Sequence, residues 1–327
     1  MMEEILPNLY RIEIPLPESP LKSLNSYLIK GDGRFLIIDT GMNREECKRE
    51  MFSSLQKLHI DLNKTDFFIT HFHVDHIGLT ADLATETSKT YLSQEEAFIF
   101  YNSGIGGEEW RQKVHELFLS NGFPEDELRE AEPNNPGLQY GLKYHIDFTP
   151  LKEGDTIQIG DYNFRCVATP GHSPGHMCLY EANKKILVSG DHILFDITPN
   201  ISFWMEMENP LQDYLENLEK VYSFDVDLVL PGHRNLWHDH RQRITELQEH
   251  HQFRLNEIIS ALEDGNKTAF DITPWVTWDM DCNSWEEFPL VQKRFAVGET
   301  MSHIKYLEVK GVVERKIEES QVVFTLV

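Results

Sequence analysis

The apolar positions of this chain fall into short runs bounded by Gly, Asp and Pro. Ser26-Tyr-Leu-Ile-Lys30 and Arg34-Phe-Leu-Ile-Ile38 flank Gly31-Asp32-Gly33, two β-rich runs around a turn, and predict a hairpin. The second run ends in Asp39-Thr40-Gly41, and a helical stretch is expected from about Arg44 to Leu58. Phe67–Thr70 reads as a buried strand, with a helix expected to begin just beyond it at Ile77-Gly-Leu-Thr-Ala81. Residues 94–150 read as helical and irregular, with Trp110, Phe118, Tyr140 and Tyr144. Thr156–Ile159, Tyr162–Ala168, Met177–Glu181 and Lys185–Ser189 then read as short strands, followed by a helix at Pro210–Tyr222 and a strand at Asp227–Leu230.

Strands thus come in two batches, each mixed with helices. That predicts an α/β fold of two sheets packed face to face with helices outside, rather than a doubly wound parallel sheet. A long helix from about Arg241 to Leu262 stops at Asp264-Gly265-Asn266. Beyond it, Ala269–Trp278 and Phe295–Lys310 read as helices, and Val312–Glu314 with Val322–Thr325 as a two-stranded wing. The change of texture places a boundary near residue 250, between a domain at 1–250 and a smaller one at 251–327.

Composition narrows the class. The 327 residues, 40% hydrophobic and 11% aromatic, suffice for a sizeable core and argue against disorder. No apolar run reaches the roughly 18 residues of a membrane helix. Met-Met-Glu-Glu-Ile-Leu-Pro has neither a basic nor an apolar leader region, so a cytoplasmic protein with no membrane partner is expected. Cys47, Cys166, Cys178 and Cys282 are scattered, with no C-x-x-C pair, and are expected as free thiols. The net charge of −24 repels nucleic acid and anionic lipid at long range and favours divalent cations at carboxylate sites.

Candidate chemistry concentrates at Ile69-Thr-His71-Phe-His73-Val-Asp75-His76. In H-x-H the two side chains of an extended segment fall on one side, and Asp75 and His76 follow where the chain bends. Imidazole and carboxylate donors without thiolate suit Zn, Fe, Co or Mn. As satisfied core groups, three adjacent imidazoles would need many partners and would repel one another when protonated. One loop cannot close a metal shell. Further donors stand in Gly turns at strand ends: Thr169-Pro-Gly-His172-Ser-Pro-Gly-His176, Ser189-Gly-Asp191 and Pro231-Gly-His233.

These motifs, with Asp39 in Ile-Asp-Thr-Gly, resemble in order and character those of the metallo-β-lactamase superfamily, over roughly residues 1–240. The resemblance implies a four-layer αββα sandwich. It implies two divalent metal ions, by default Zn, with Fe and Mn using the same ligand types. One would take His71, His73 and His172; the other Asp75, His76 and His233; Asp191 would bridge them with a hydroxide, the ions lying about 3.5–4 Å apart. Asp75 would also handle the proton of the attacking water, and Asp39 would orient a histidine or fix the turn.

Departures within the family select a branch. His73 stands where the flavodiiron branch has Glu, and Asp191 where the best-known zinc β-lactamases have Cys. The Asp bridge resembles the glyoxalase II, lactonase and nuclease branches. Residues Phe295–Leu326 resemble the small winged-helix tail of lactamase-β-like proteins. Its helix sets Glu299 and Glu308 against Lys305 and Lys310, so packing, homodimer formation or covering of the active site is expected of it before nucleic-acid binding. The expected activity is hydrolysis of a small-molecule acyl substrate, a thioester or lactone. The alternatives are an endoribonuclease or phosphodiesterase and a non-enzymatic binding or regulatory protein.

Weaker signals remain. His176 and His192 support the site or make structural hydrogen bonds; His238, His240, His250 and His251, around the long helix, are expected to be mostly solvated. Ile201-Ser-Phe203-Trp204-Met-Glu-Met lines a substrate pocket or packs in the core.

Overall fold

The computed structural model describes residues 2–102, 107–142, 146–280, 282 and 284–327; Tyr144 lies outside them. One sheet holds β1 (Met2–Leu6), β2 (Leu9–Pro15), β3 (Ser23–Lys30), β4 (Phe35–Ile38), β5 (Thr65–Phe68), β6 (Thr90–Ser93) and β7 (Phe148–Leu151) in chain order. The first four pair antiparallel and the last three are added in parallel. The second sheet runs β12-β11-β10-β9-β8, built from β8 (Thr156–Ile159), β9 (Tyr162–Ala168), β10 (Met177–Glu181), β11 (Ile186–Gly190) and β12 (Leu228–Pro231). Only β11 and β12 pair in parallel there.

The two sheets close on one another over an apolar layer that includes Tyr27, Ile29, Ile38, Phe68, Phe164, Leu179, Val188 and Leu230. Strands buried on both faces explain their near-continuous apolar runs. The outer face of the first sheet packs on the helix Glu45–Lys57 through Cys47, Met51 and Leu55. The outer face of the second packs on the helices Pro210–Tyr222 and His240–Leu262 through Leu211, Tyr214, Ile244 and Ile258. The result is the expected four-layer αββα sandwich.

The C-terminal region consists of the short helix Ala269–Ile272, the helix Leu290–Val309 and a hairpin of β13 (Val313–Glu318) and β14 (Gln321–Leu326). The helix His240–Leu262 runs unbroken through residue 250, and one apolar cluster joins the second sheet's Val229 to Val297, Met301 and Phe324 of the C-terminal region. The sequence boundary near 250 therefore falls inside a helix and within a shared core.

Three details correct the expectations. β1, β2, β6 and β7 are strands that the apolar pattern did not single out. The helix expected from Ile77 is instead two short turns, Val74–Ile77 and Thr80–Leu83. The chain breaks between them because Leu79 N–H donates to Gly41 O (2.9 Å), and Gly78 lies where a Cβ would stand 2.8 Å from both Asn43 N and Tyr140 O. His240 and His251 are buried, not solvated, since their helix packs against Pro210–Tyr222 and Leu290–Val309 as well as the second sheet.

Candidate metal centre

Strand direction brings the motifs together. β4 and β5 are parallel neighbours, so Asp39 and the 71–76 turn leave one edge of the first sheet side by side. β9, β11 and β12 share a direction, so His172, Asp191 and His233 follow strands ending at one edge of the second. The two edges are tied across the sandwich. Asn25 N–H donates to Gly232 O (2.7 Å) and Tyr27 Oη–H to Pro231 O (2.7 Å). Backbone conformation is specialised at the turns: Gly190 has φ +48°, and Asp39, a residue type that tolerates the left-handed region, has φ 57°.

All seven expected ligands meet in one group, buried except for the half-buried His73. His71, His73 and His172 converge; His71 and His76 converge with Asp191; Asp75 and His76 converge with His233. Hydrogen bonds on the far side of each ring determine where its lone pair points. His172 Nδ1–H donates to Asn200 O (2.8 Å) and His233 Nδ1–H to Ser23 O (2.7 Å); carbonyls only accept. His76 Nδ1–H donates to Asp39 Oδ2 (2.8 Å). Thr70 Oγ1 donates to the same carboxylate (2.9 Å) and so accepts from His71 Nδ1–H (3.0 Å). The Nε2 atoms of His71 and His172 are thus lone-pair atoms, and those of His76 and His233 become so once their second proton is released.

These four Nε2 atoms turn inward, toward His73 and the two carboxylates. His71 Nε2 and His172 Nε2 lie 2.8 and 2.9 Å from His73 Nδ1. His233 Nε2 lies 3.3 Å from Asp75 Oδ2 and 3.4 Å from Asp191 Oδ2, and His76 Nε2 lies 3.5 Å from Asp191 Oδ1. His76 Nε2, Asp191 Oδ1 and His233 Nε2 are buried without a hydrogen-bond partner. The carboxylates of Asp39, Asp75 and Asp191 pair only with histidines, not with any lysine or arginine, among the described residues. Buried charge of that kind needs positive compensation.

Two sources are available, protons or cations, and the electrostatics show the strain of using protons. Burial, then the charge of His172, drives His73 down to about 3. Burial would also lower His233, but Asp191 overrides it and lifts it to about 10. Burial would raise Asp75; the His76 charge and a hydrogen bond to His233 bring it to about 2. Without a cation, His76 and His233 hold protons against the carboxylates while His71, His73 and His172 stay neutral; divalent cations suit this donor set and displace those protons on binding. Gly232 fits the same reading: a Cβ there would sit 2.4 Å from Asp191 Oδ1 and 2.9 Å from His76 Cε1, inside the cavity.

The surroundings extend what the sequence signalled. His176 accepts from Asp191 N–H at Nε2 (3.1 Å) and so donates from Nδ1 to Thr169 Oγ1 (2.7 Å), holding the Asp191 turn while standing at the start of β10. Ile201 is core, whereas Trp204 stacks on His73 at 5.7 Å and meets Phe72 edge-on at 5.3 Å, forming an aromatic wall. Two partners gave no sequence signal. Asn200, whose carbonyl holds His172, donates from Nδ2 to Glu299 Oε2 (2.6 Å) of the C-terminal helix, and Glu299 Oε1 pairs with Arg254 (2.5 Å). Glu96, fully buried, accepts from Ser173 Oγ and Gly175 N–H in the turn after His172.

Comparison with known proteins agrees with this geometry. A model of the metallo-beta-lactamase superfamily matches residues 21–233. The probable metallo-hydrolase YqjP of Bacillus subtilis is 22% identical over 330 residues, spanning 96% of each chain. The acyl-coenzyme A thioesterase MBLAC2 of Homo sapiens is 26% identical over 221 residues, covering 64% of this chain and 73% of its own. A crystal structure of a metallo-beta-lactamase family protein from Thermus thermophilus superposes with TM-score 0.82 at 28% identity, covering 99% of this chain and 100% of that one.

Proposed function

The chain belongs to the metallo-beta-lactamase superfamily, and on that footing we propose that this hydrolase uses two divalent cations to hydrolyse an acyl thioester. His71, His73 and His172 would hold one cation; Asp75, His76 and His233 the other; Asp191 reaches both groups. The observation that carries the reading is the convergence of four buried Nε2 atoms on His73 Nδ1 and on the carboxylates of Asp75 and Asp191, which no lysine or arginine pairs among the described residues. Bound there, divalent cations supply a lowered pKa for water and Lewis acidity toward a carbonyl oxygen.

The chain's own residues do the rest. Asp39, Asn200 and Ser23 fix the ring orientations of His76, His172 and His233, so the donor set is pre-organised. Asp75, whose Oδ2 lies 3.3 Å from His233 Nε2 among the donor groups, would take the proton of the attacking water and deliver it to the departing thiolate. The water oxygen forms the acyl C–O bond as the C–S bond breaks, leaving a carboxylic acid and a thiol. Trp204 and Phe72 wall the opening beside His73 and exclude water from one side of the acyl group. Support for the thioester comes from this apolar wall and from the likeness to a relative named an acyl-coenzyme A thioesterase.

The test is turnover of acyl thioesters beside a lactone, a phosphodiester and single-stranded RNA, on protein of measured metal content, with Asp191→Asn as control. Thioester hydrolysis that disappears in the variant and after chelation supports the reading. Cleavage of the phosphodiester or RNA alone overturns it.

A further inference from the structure

The helix Leu290–Val309 meets the helices Glu108–Ser120, Glu125–Ala131 and Pro136–Tyr140 at a cleft whose lining includes Trp110, Val114, Leu128, Leu138 and Arg294. Its free volume of about 40 Å³ compares with about 10–15 Å³ for one water, so it suits a single small polar group. The geometry points to Arg294 as the anchor for an anionic group, phosphate or carboxylate, carried on the thiol arm of the substrate. This rests on the thioester reading above and names the recognition chemistry of the same site.

The neighbouring Lys293 is paired with Glu127 Oε2 at 2.9 Å, and Arg254 is paired with Glu299. Arg294 is half-buried and has no hydrogen bond or ion pair among the described residues; its Cζ lies 4.8 Å from the centre of the Phe118 ring. Glu132, the carboxylate in the cleft, lies beyond ion-pair distance from Arg294 and within 4.0 Å of His115 Nδ1. Burial lowers the pKa of Arg294, with Glu132 opposing it. A guanidinium offers five N–H donors in a planar fork matched to carboxylate and phosphate oxygens, and at Arg294 no protein group takes them up among the described residues.

Position supports an arm of the substrate rather than a separate ligand. Trp110 Nε1–H donates to Glu206 Oε1 (2.9 Å), two residues beyond the Trp204 that stacks on His73. Leu138 belongs to the same short helix as Tyr140, whose carbonyl accepts from Asn43 N–H (3.1 Å) behind the 71–76 turn. One helical turn beyond Arg294, Gly298 O accepts from Phe203 N–H (2.9 Å). The segments that wall the cleft therefore also frame the metal centre. In a chain of net charge −24, an unmatched cation there discriminates among thiol carriers.

The experiment compares one hexanoyl group on three thiols: coenzyme A, which carries phosphates; glutathione, which carries carboxylates; and N-acetylcysteamine, which is neutral. Arg294→Met keeps the apolar stem against Phe118, and Arg294→Lys keeps the charge. The expected result is a rise in KM of about tenfold to a hundredfold for a charged ester in Arg294→Met, a smaller rise in Arg294→Lys, and no change for the neutral ester. The coenzyme A and glutathione arms separate phosphate from carboxylate. Equal effects on charged and neutral esters, or none, overturn the proposal. Titration with free coenzyme A and free glutathione, read by calorimetry, covers the case in which no thioester is turned over. Binding weakened by the same factor in Arg294→Met supports the anchor even if the thioester reading fails, and absence of binding to both overturns it.

Discussion

Replacing Asp39 by Asn tests whether ring orientation by hydrogen bonding prepares the metal centre. Asp39 is 2% exposed and accepts from Thr70 N–H (2.8 Å), Thr70 Oγ1–H (2.9 Å) and His76 Nδ1–H (2.8 Å). Asn tolerates the same positive φ of 57°, so the backbone is not the variable. With Oδ1 retained toward Thr70 N–H, the amide nitrogen faces two donors. Thr70 can rotate its hydroxyl and accept; His76 can relieve the clash only by moving its proton to Nε2, the atom that must ligate. Holding Nε2 free then leaves a buried donor pair unmatched, at about 1–3 kcal/mol. The cation affinity should fall about tenfold to a hundredfold, as is typical when a group orienting a metal-bound histidine is removed. Competition of Zn with a chromophoric chelator gives the affinity, and melting with and without Zn gives the linkage. The metal-free variant should also melt lower, since Asp39 holds His76 above its usual range against burial, together with Asp191 and Asp75. An affinity within threefold of the parent would refute the reasoning and leave Asp39 as a turn residue alone.

Other perturbations probe other parts. Gly232→Ala puts a methyl 2.4 Å from Asp191 Oδ1; metal content should drop at least tenfold while the metal-free melting temperature moves by no more than a few degrees, and retained stoichiometry would contradict the cavity assignment. Glu299→Ala removes the bond to Asn200 and strands buried Arg254, costing about 3–5 kcal/mol and weakening metal binding through His172; Glu299→Gln, which still accepts from Asn200, should lose less of both in melting and metal titration. Glu96 is raised by burial from 4.5 to about 8, so the folded state binds its proton more tightly than the unfolded chain. Stability from that group is full below 4.5 and is lost as pH rises toward 8, and denaturant melts of metal-free Glu96→Gln should show a flatter pH slope across that window.

The ligand motifs were legible because their chemistry is local. His71, His73, Asp75 and His76 share one turn, and His172, Asp191 and His233 stand in Gly turns after apolar strands, so neighbours within a few residues specify both the bend and the donors. The hairpin at Gly31-Asp32-Gly33, the strands from 156 to 190 and the helix Pro210–Tyr222 were readable for the same reason. The strands β6 and β7 were not, since each is short and becomes a strand only by pairing with a segment far away in the chain.

Side-chain environment needed the tertiary structure. His251 and Glu299 look like surface residues of a polar helix, yet His251 meets His303 at 3.0 Å and Glu299 closes a chain of contacts to His172. Asn200 carries no motif; its carbonyl orients a ligand only because the Leu290–Val309 helix grips its side chain. Arg294 is likewise one arginine among thirty basic residues until three other helices surround it without giving it a partner. The sequence by itself determined which atoms can bind metal and on which turns they stand, because bend and donor are encoded together. Which lone pair each histidine offers, and which groups compensate it, was decided only by packing between segments as much as 210 residues apart, as in the 2.7 Å bond from His233 to Ser23.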